Sequence, residues 1–229
     1  MATLTQLLAA HGSLLVLDAA STTTQVGLLR AGRPPLWRSA GPEAGTALFT
    51  GVDACLREAG LELAGIGAFV FCAGPGSMLG SRTTAMAIRT WQAIAPRPAY
   101  CYQSLPLNAH ELLRAGTAMP FNVIADARRD SWHCVTVGAG RSISALQRLP
   151  VAEVAALPGE LWQPSAFRSW AAAPRATRDC GYDLAALFAA QPDKDLFTST
   201  DAPDAFSHEA PVYKKSPPRI HRADPAARK

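Results

Sequence analysis

The chain has 229 residues, of which 48% are hydrophobic and 17% charged. That is enough apolar material for one large domain or two small lobes sharing an interface, and it excludes collagenous and globally disordered classes. The formal net charge of +4 is mild. Much of it lies in Lys214, Lys215, Arg219, Arg222, Arg228 and Lys229, a tail that reads more simply as solvated than as RNA-binding.

The five cysteines are odd in number, widely spaced and form no C-x-x-C pair, so neither a disulfide framework nor a zinc ribbon is indicated. The opening MATLTQLLAAHGS lacks the basic segment and the apolar length of a signal peptide. No stretch reaches the ~18–20 apolar residues of a membrane span. A cytoplasmic protein is expected.

In chain order, residues 13–18 form a short apolar run ending in an acid, a buried strand. Residues 24–30 and 36–40 supply a second and third strand around a Gly-containing turn. Leu48, Val52, Cys55, Leu56 and Ala59 repeat at helical spacing over 43–60, with Gly60 as the stop. A strand at 66–72 leads into Gly74-Pro75-Gly76-Ser77, whose serine is placed to cap a helix ending before Pro96. A short strand at 98–102, a helix at 104–115 capped by Ser104, and paired strands at 121–126 and 131–137 follow. Periodicity is weak over 150–190, where 184–190 is the best helix, and order is expected to fade after Tyr213. No tandem repeat is visible, although both halves open with strand, acid, turn and strand.

Three motifs carry potential chemistry. Asp18, with Ser21 and Thr22 in the next turn, matches the place where actin-like ATPases hold metal, water and phosphate. Read alone, it is an ordinary hairpin turn. Gly74, Gly76 and Ser77 could bring amides to an anion at a helix start. The spacing is neither G-x-G-x-x-G nor a Walker A loop, and a tight strand-to-helix turn is the simpler account. Asp126-Ala127-Arg128-Arg129-Asp130 offers an acid and guanidinium cluster at Asp126 and Arg128, or merely a charged turn. His11, His110, His133, His208 and His221 are scattered without an H-x-x-x-H pair, and no G-x-S-x-G elbow is present. No catalytic centre and no metal site can be assembled from these residues.

The order and spacing of the motifs are more specific than any one of them. L-D-x-x-[ST] at 17–21, Gly-Pro-Gly-Ser-x-x-Gly-x-Arg at 74–82, Asp-Ala-Arg-Arg at 126–129 and Pro211-Val212-Tyr213 together resemble the TsaB (YeaZ) family. The match is good over 13–137 and poor over 138–215. Departures occur at Ala19, where a hydroxyl is usual, and at Met78-Leu79 in place of Phe-Thr. Others are Glu43-Ala44-Gly45 at a helix start, Ser131 and His133 for Glu and Tyr, and Lys214-Lys215 for Leu-Arg.

The resemblance implies a two-lobed actin-like (ribonuclease-H-like) α/β fold: an amino-terminal lobe over 1–117, a smaller lobe over 118–213 and a disordered basic tail over 214–229. It implies a non-catalytic scaffold or dimerization subunit that supports a TsaD-like catalytic partner in making threonylcarbamoyladenosine beside the tRNA anticodon. A TsaE-like ATPase, homodimer or heterodimer formation, contact with tRNA through the complex, and at most weak ATP or ADP binding come with it. The 77–95 helix would supply the partner interface through Met78, Leu79, Arg82, Thr83, Met86, Ala87 and Thr90, of which the small and β-branched Thr83, Ala87 and Thr90 admit close helix approach. Rival readings are an ATP-dependent kinase of the same fold using Asp18 and Asp126, a divergent paralogue acting as an interaction module, and an inactive metallopeptidase relative.

Overall fold

The computed structural model describes residues 1–41 and 43–207; the basic tail at 214–229 and Pro211-Val212-Tyr213 lie outside the described residues. The first sheet is built on β1 (Ser13–Asp18), β2 (Thr24–Arg30), β3 (Leu36–Ala40), β4 (Ala68–Gly74) and β5 (Ala99–Gln103). β1 pairs antiparallel with β2 and parallel with β4, and β4 pairs parallel with β5. The spatial order is therefore β3-β2-β1-β4-β5.

All six residues of β1 are buried, because helices cover both faces and leave no polar alternation to read. Leu15 and Leu17 point to one face with Val26, Leu28, Phe69 and Phe71. There α2 (Ala44–Ala59) delivers Leu48, Val52 and Cys55, and α3 (Met78–Ile94) delivers Ala85 and Ile88. Leu14 and Val16 point to the opposite face, under α1 (Leu4–His11) and α4 (Ser104–Arg114).

α1 is absent from the elements that the sequence predicts. Thr3 and Gln6 close a reciprocal capping box at 3.1 and 3.0 Å, and the helix buries only Leu4 and Leu7, too few for a periodic signal. The other termini follow the sequence: Ser77 caps α3 through the Gly80 amide at 3.2 Å, and left-handed Gly60 ends α2. Ser104 departs from expectation. It lies inside α4, whose N-cap is Gln103, and its hydroxyl donates instead to the Pro75 carbonyl at 2.6 Å.

The second sheet contains β6 (Phe121–Asp126), β7 (Ser131–Val137), β8 (Gln147–Pro150), β9 (Glu160–Pro164) and β10 (Thr177–Cys180), in the order β8-β7-β6-β9-β10. α5 (Val151–Ala156) lies between β8 and β9 in the chain. The pairing senses repeat those of the first sheet: antiparallel for the first three strands, parallel for the last two. Two ribonuclease-H-like units in succession make this the two-lobed actin-like fold.

One core cluster spans both units, joining Leu14, Val16 and Val70 to Phe121, Val123 and Val135 through Leu105 and Leu112 of α4. The chain then returns to the first unit. α6 (Leu184–Ala190) packs Leu187 and Phe188 against Tyr102, and β11 (Thr198–Ser199) pairs antiparallel with β5. The stretch 118–213 thus holds the second sheet and also a closing segment of the first. Among the described residues, no helix is long and apolar enough to cross a membrane.

Candidate functional site

Asp18 ends β1 with no solvent exposure. Its Oδ2 accepts from the Tyr102 hydroxyl at 2.5 Å and from the Tyr182 hydroxyl at 2.6 Å, and its Oδ1 accepts from the Ala20 amide at 2.7 Å. Burial raises the carboxyl pKa above its ordinary 3.8, while the tyrosine and amide bonds pull it back down. Burial, with Asp18 beside them, pushes both phenols well above the ordinary value, so they stay protonated and keep donating. This carboxylate is enclosed by protein donors, and a hydrated metal could reach it only by displacing two tyrosines. Nothing in the sequence flags Tyr102 and Tyr182, which lie 84 and 164 residues away. The one available signal is that a buried acid must find donors somewhere.

The following turn and the Gly-Pro-Gly-Ser loop fit against each other. The Ser21 hydroxyl donates to the Thr23 carbonyl at 2.7 Å and accepts from the Thr23 amide, and the Thr22 amide donates to Ala166 O at 2.7 Å. The Ser77 amide donates to the Ala20 carbonyl at 2.7 Å. A Cβ on Gly76, whose φ is 148°, would lie 2.3 Å from Ala20 O, and one on Gly80 1.9 Å from Ala19 O. Both glycines are needed because two backbones touch here. The structure brings Asp18, Ser21, Thr22, Gly74, Gly76 and Ser77 together, with much of their hydrogen-bonding capacity already taken by protein. Beside them, Ser21, Thr22, Glu43, Thr46, Ser77 and Arg168 line a cavity of about 320 Å³.

The second motif turn lies between β6 and β7. Asp126 accepts from the Arg128 amide at 2.6 Å and, from a distant loop, from the Trp170 and Ala171 amides at 2.5 and 3.0 Å. Arg128, Arg129 and Asp130 have consecutive φ values of 61°, 50° and 54°, the left-handed region, which costs a non-glycine residue about 1–2 kcal/mol. The Arg128 guanidinium lies 4.8 Å from the centre of the Trp170 ring.

The outer face of α2 and α3 holds a groove of about 430 Å³ lined by Phe49, Leu79, Arg82, Thr83, Met86, Ala87, Thr90 and Trp91. Leu79 is 76% exposed, Met86 54% and Phe49 50%. Isolated exposed apolar residues are ordinary, but a contiguous set rimming a groove is not. Thr83 and Thr90 bond their hydroxyls back to the Leu79 and Met86 carbonyls, each at 2.9 Å, so neither hydroxyl is left in need of a partner. Ala87 differs from the other expected interface residues. It is 5% exposed, packs in the core beneath the helix and contributes only to the groove floor. Phe49 and Trp91, which meet edge to face at 6.2 Å, belong to the groove although no motif contains them. Among the described residues no group of three His, Cys, Asp or Glu side chains could hold a metal.

No protein-family model matches the chain, and no curated protein matches it. Solved structures do. YeaZ from Pseudomonas aeruginosa aligns with a TM-score of 0.54 and 26% identity, over 67% of this chain and 75% of that one. The resemblance is to YeaZ. A second Pseudomonas aeruginosa structure, described as an uncharacterized protein with similarity to peptidase YeaZ, gives the same TM-score, identity and coverage. The 2-hydroxyisocaproyl-CoA dehydratase activator from Clostridium difficile, solved with bound ADPNP, aligns at a TM-score of 0.36 and 12% identity, over 60% of this chain and 46% of that one.

Proposed function

We propose that this chain is a non-catalytic scaffold subunit of the tRNA threonylcarbamoyladenosine complex, and that it docks a TsaD-like catalytic partner on the α2–α3 face. The carrying observation is the exposed apolar groove rimmed by Leu79, Met86 and Phe49. Fully burying an aliphatic or aromatic side chain contributes about 1.5–3 kcal/mol, so a few such anchors supply the core of a stable interface. The likeness to YeaZ and the ordered motifs are what favour a TsaD-like protein as the occupant.

The kinase reading is the weaker one. It needs Asp18 open to metal and water, whereas both Asp18 oxygens face protein donors. The test is direct association: the purified chain mixed with the TsaD-like protein of its own organism, followed by size exclusion with light scattering. A complex that forms with the native chain and is lost with Leu79→Glu or Met86→Glu supports the docking face. A complex unaffected by both substitutions, or none with the native chain, rejects it.

A further inference from the structure

Trp170 is 67% exposed, yet it does not line the α2–α3 groove. It sits on the loop between β9 and β10, and its backbone amide is tied to Asp126, the residue that also fixes the Arg128 amide. One carboxylate therefore joins two loops and sets a guanidinium over an indole.

A second Arg–Trp pair in the molecule provides a contrast. Arg178 lies 5.2 Å from the centre of the half-buried Trp162 ring, and its Nη1 donates to both oxygens of Glu160 at 2.9 and 3.1 Å. That cation is neutralised and its ring is half-buried, as a structural pair should be. Arg128 is different. Among the described residues, no carboxylate pairs with Arg128, Arg129 or Arg168, and all three are exposed. The charge of Asp126 is already met by three amides.

An exposed ring beside a guanidinium with no carboxylate partner matches an unpaired nucleotide: a flat base for the indole, and phosphate oxygens for Arg128. An apolar peptide fits less well. Of the other large exposed apolar residues, Val151 adjoins the turn through the hydrogen bond from its amide to the Asp130 carbonyl at 2.9 Å, while the rest are Met1 and residues on α2 and α3, so this surface lacks the contiguous apolar set of the groove.

We propose that the surface formed by Arg128 and Trp170 binds an unpaired nucleotide of RNA, with the base stacked on the exposed ring of Trp170 and the phosphate held by Arg128. This deepens the scaffold reading by giving the chain its own contact with tRNA, and it rests on that reading only for which RNA is bound.

The experiment uses the full chain and a labelled stem–loop RNA with an unpaired loop, beside a blunt duplex of equal length, followed by fluorescence anisotropy across a salt series. The stem–loop should bind more tightly than the duplex. Trp170→Ala should weaken it about ten-fold or more, as loss of one base–aromatic stack does, and Trp170→Phe should keep most of the affinity. Arg128→Gln should lower the salt slope by about one phosphate contact. The basic tail is the same in every variant. Stem–loop binding that Trp170→Ala leaves unchanged, a preference for duplex, or no binding overturns the proposal. Association with the TsaD-like protein is scored separately. If RNA binding fails while that complex forms, the nucleotide surface falls and the scaffold stands. If RNA binds through Trp170 while no complex forms, the nucleotide surface stands and the scaffold falls.

Discussion

The Tyr182 hydroxyl donates to Asp18 Oδ2 at 2.6 Å across 164 residues of sequence. This bond ties the segment that returns from the second unit to the first strand of the first unit. It also occupies the acid that an ATPase of this fold would keep open.

Tyr182→Phe should therefore destabilise the whole protein. A hydrogen bond to a charged group contributes about 1.5–3 kcal/mol, and the loss should register as a lower urea midpoint. The deficit should grow with pH. The lost bond favours the ionised carboxylate, so the variant's Asp18 keeps its proton to higher pH than the native one.

Asp18 also sets a pH dependence of its own. Its folded-state pKa lies above 3.8, so the folded chain holds this proton more tightly than the unfolded chain does. The associated stability is fully present below pH 3.8 and is lost as pH rises through the raised folded-state value. Asp18→Asn should flatten that decline. Urea midpoints measured at a series of pH values for both proteins provide the check; parallel curves would contradict it.

Gly80→Ala and Gly76→Ala should cost stability without any ligand being involved. The added methyl would fall 1.9 Å from Ala19 O in the first and 2.3 Å from Ala20 O in the second. Overpacking against backbone costs about 1–3 kcal/mol or more, which thermal melts of the isolated chain will show. Melting temperatures equal to the native value would mean that the loop and turn are not in contact.

Leu79→Glu and Ala87→Glu separate surface from core on one helix. Leu79 is 76% exposed, so its substitution should change stability by no more than about 0.5 kcal/mol. Ala87 is 5% exposed and packed among core residues, so a buried unpaired carboxylate there should unfold the lobe. Circular dichroism melts of the two variants decide the point. A soluble, fully folded Ala87→Glu protein would place that side chain outward.

Much of the fold is legible before any coordinates. β1, β4, β6 and β7 announce themselves as apolar runs, α2 by helical periodicity ending at Gly60, and α3 by its Ser77 cap and the stop before Pro96. The short elements are not legible. α5, β9 and β10 are each too brief to establish a period, and β11 is two residues whose only support is the edge of β5.

The repeat of strand order between the two units is a property of pairing rather than of sequence, so only its opening strand–acid–turn–strand pattern shows. At the site, the motifs locate Asp18, the glycine loop and Asp126, but not what those residues touch. Tyr102, Tyr182 and Trp170 act through contacts with distant segments, and local spacing carries no trace of them.

The most direct measurement is reconstitution of threonylcarbamoyladenosine formation on tRNA from the purified TsaD-like protein, its TsaE-like ATPase, the threonylcarbamoyl-adenylate synthase and this chain. Modified nucleoside should form with the native chain, fall to background without it, fall similarly with Leu79→Glu, and never arise from this chain alone. Full modification in its absence would contradict the scaffold role, and so would a chain that hydrolyses ATP by itself and is silenced by Asp18→Asn.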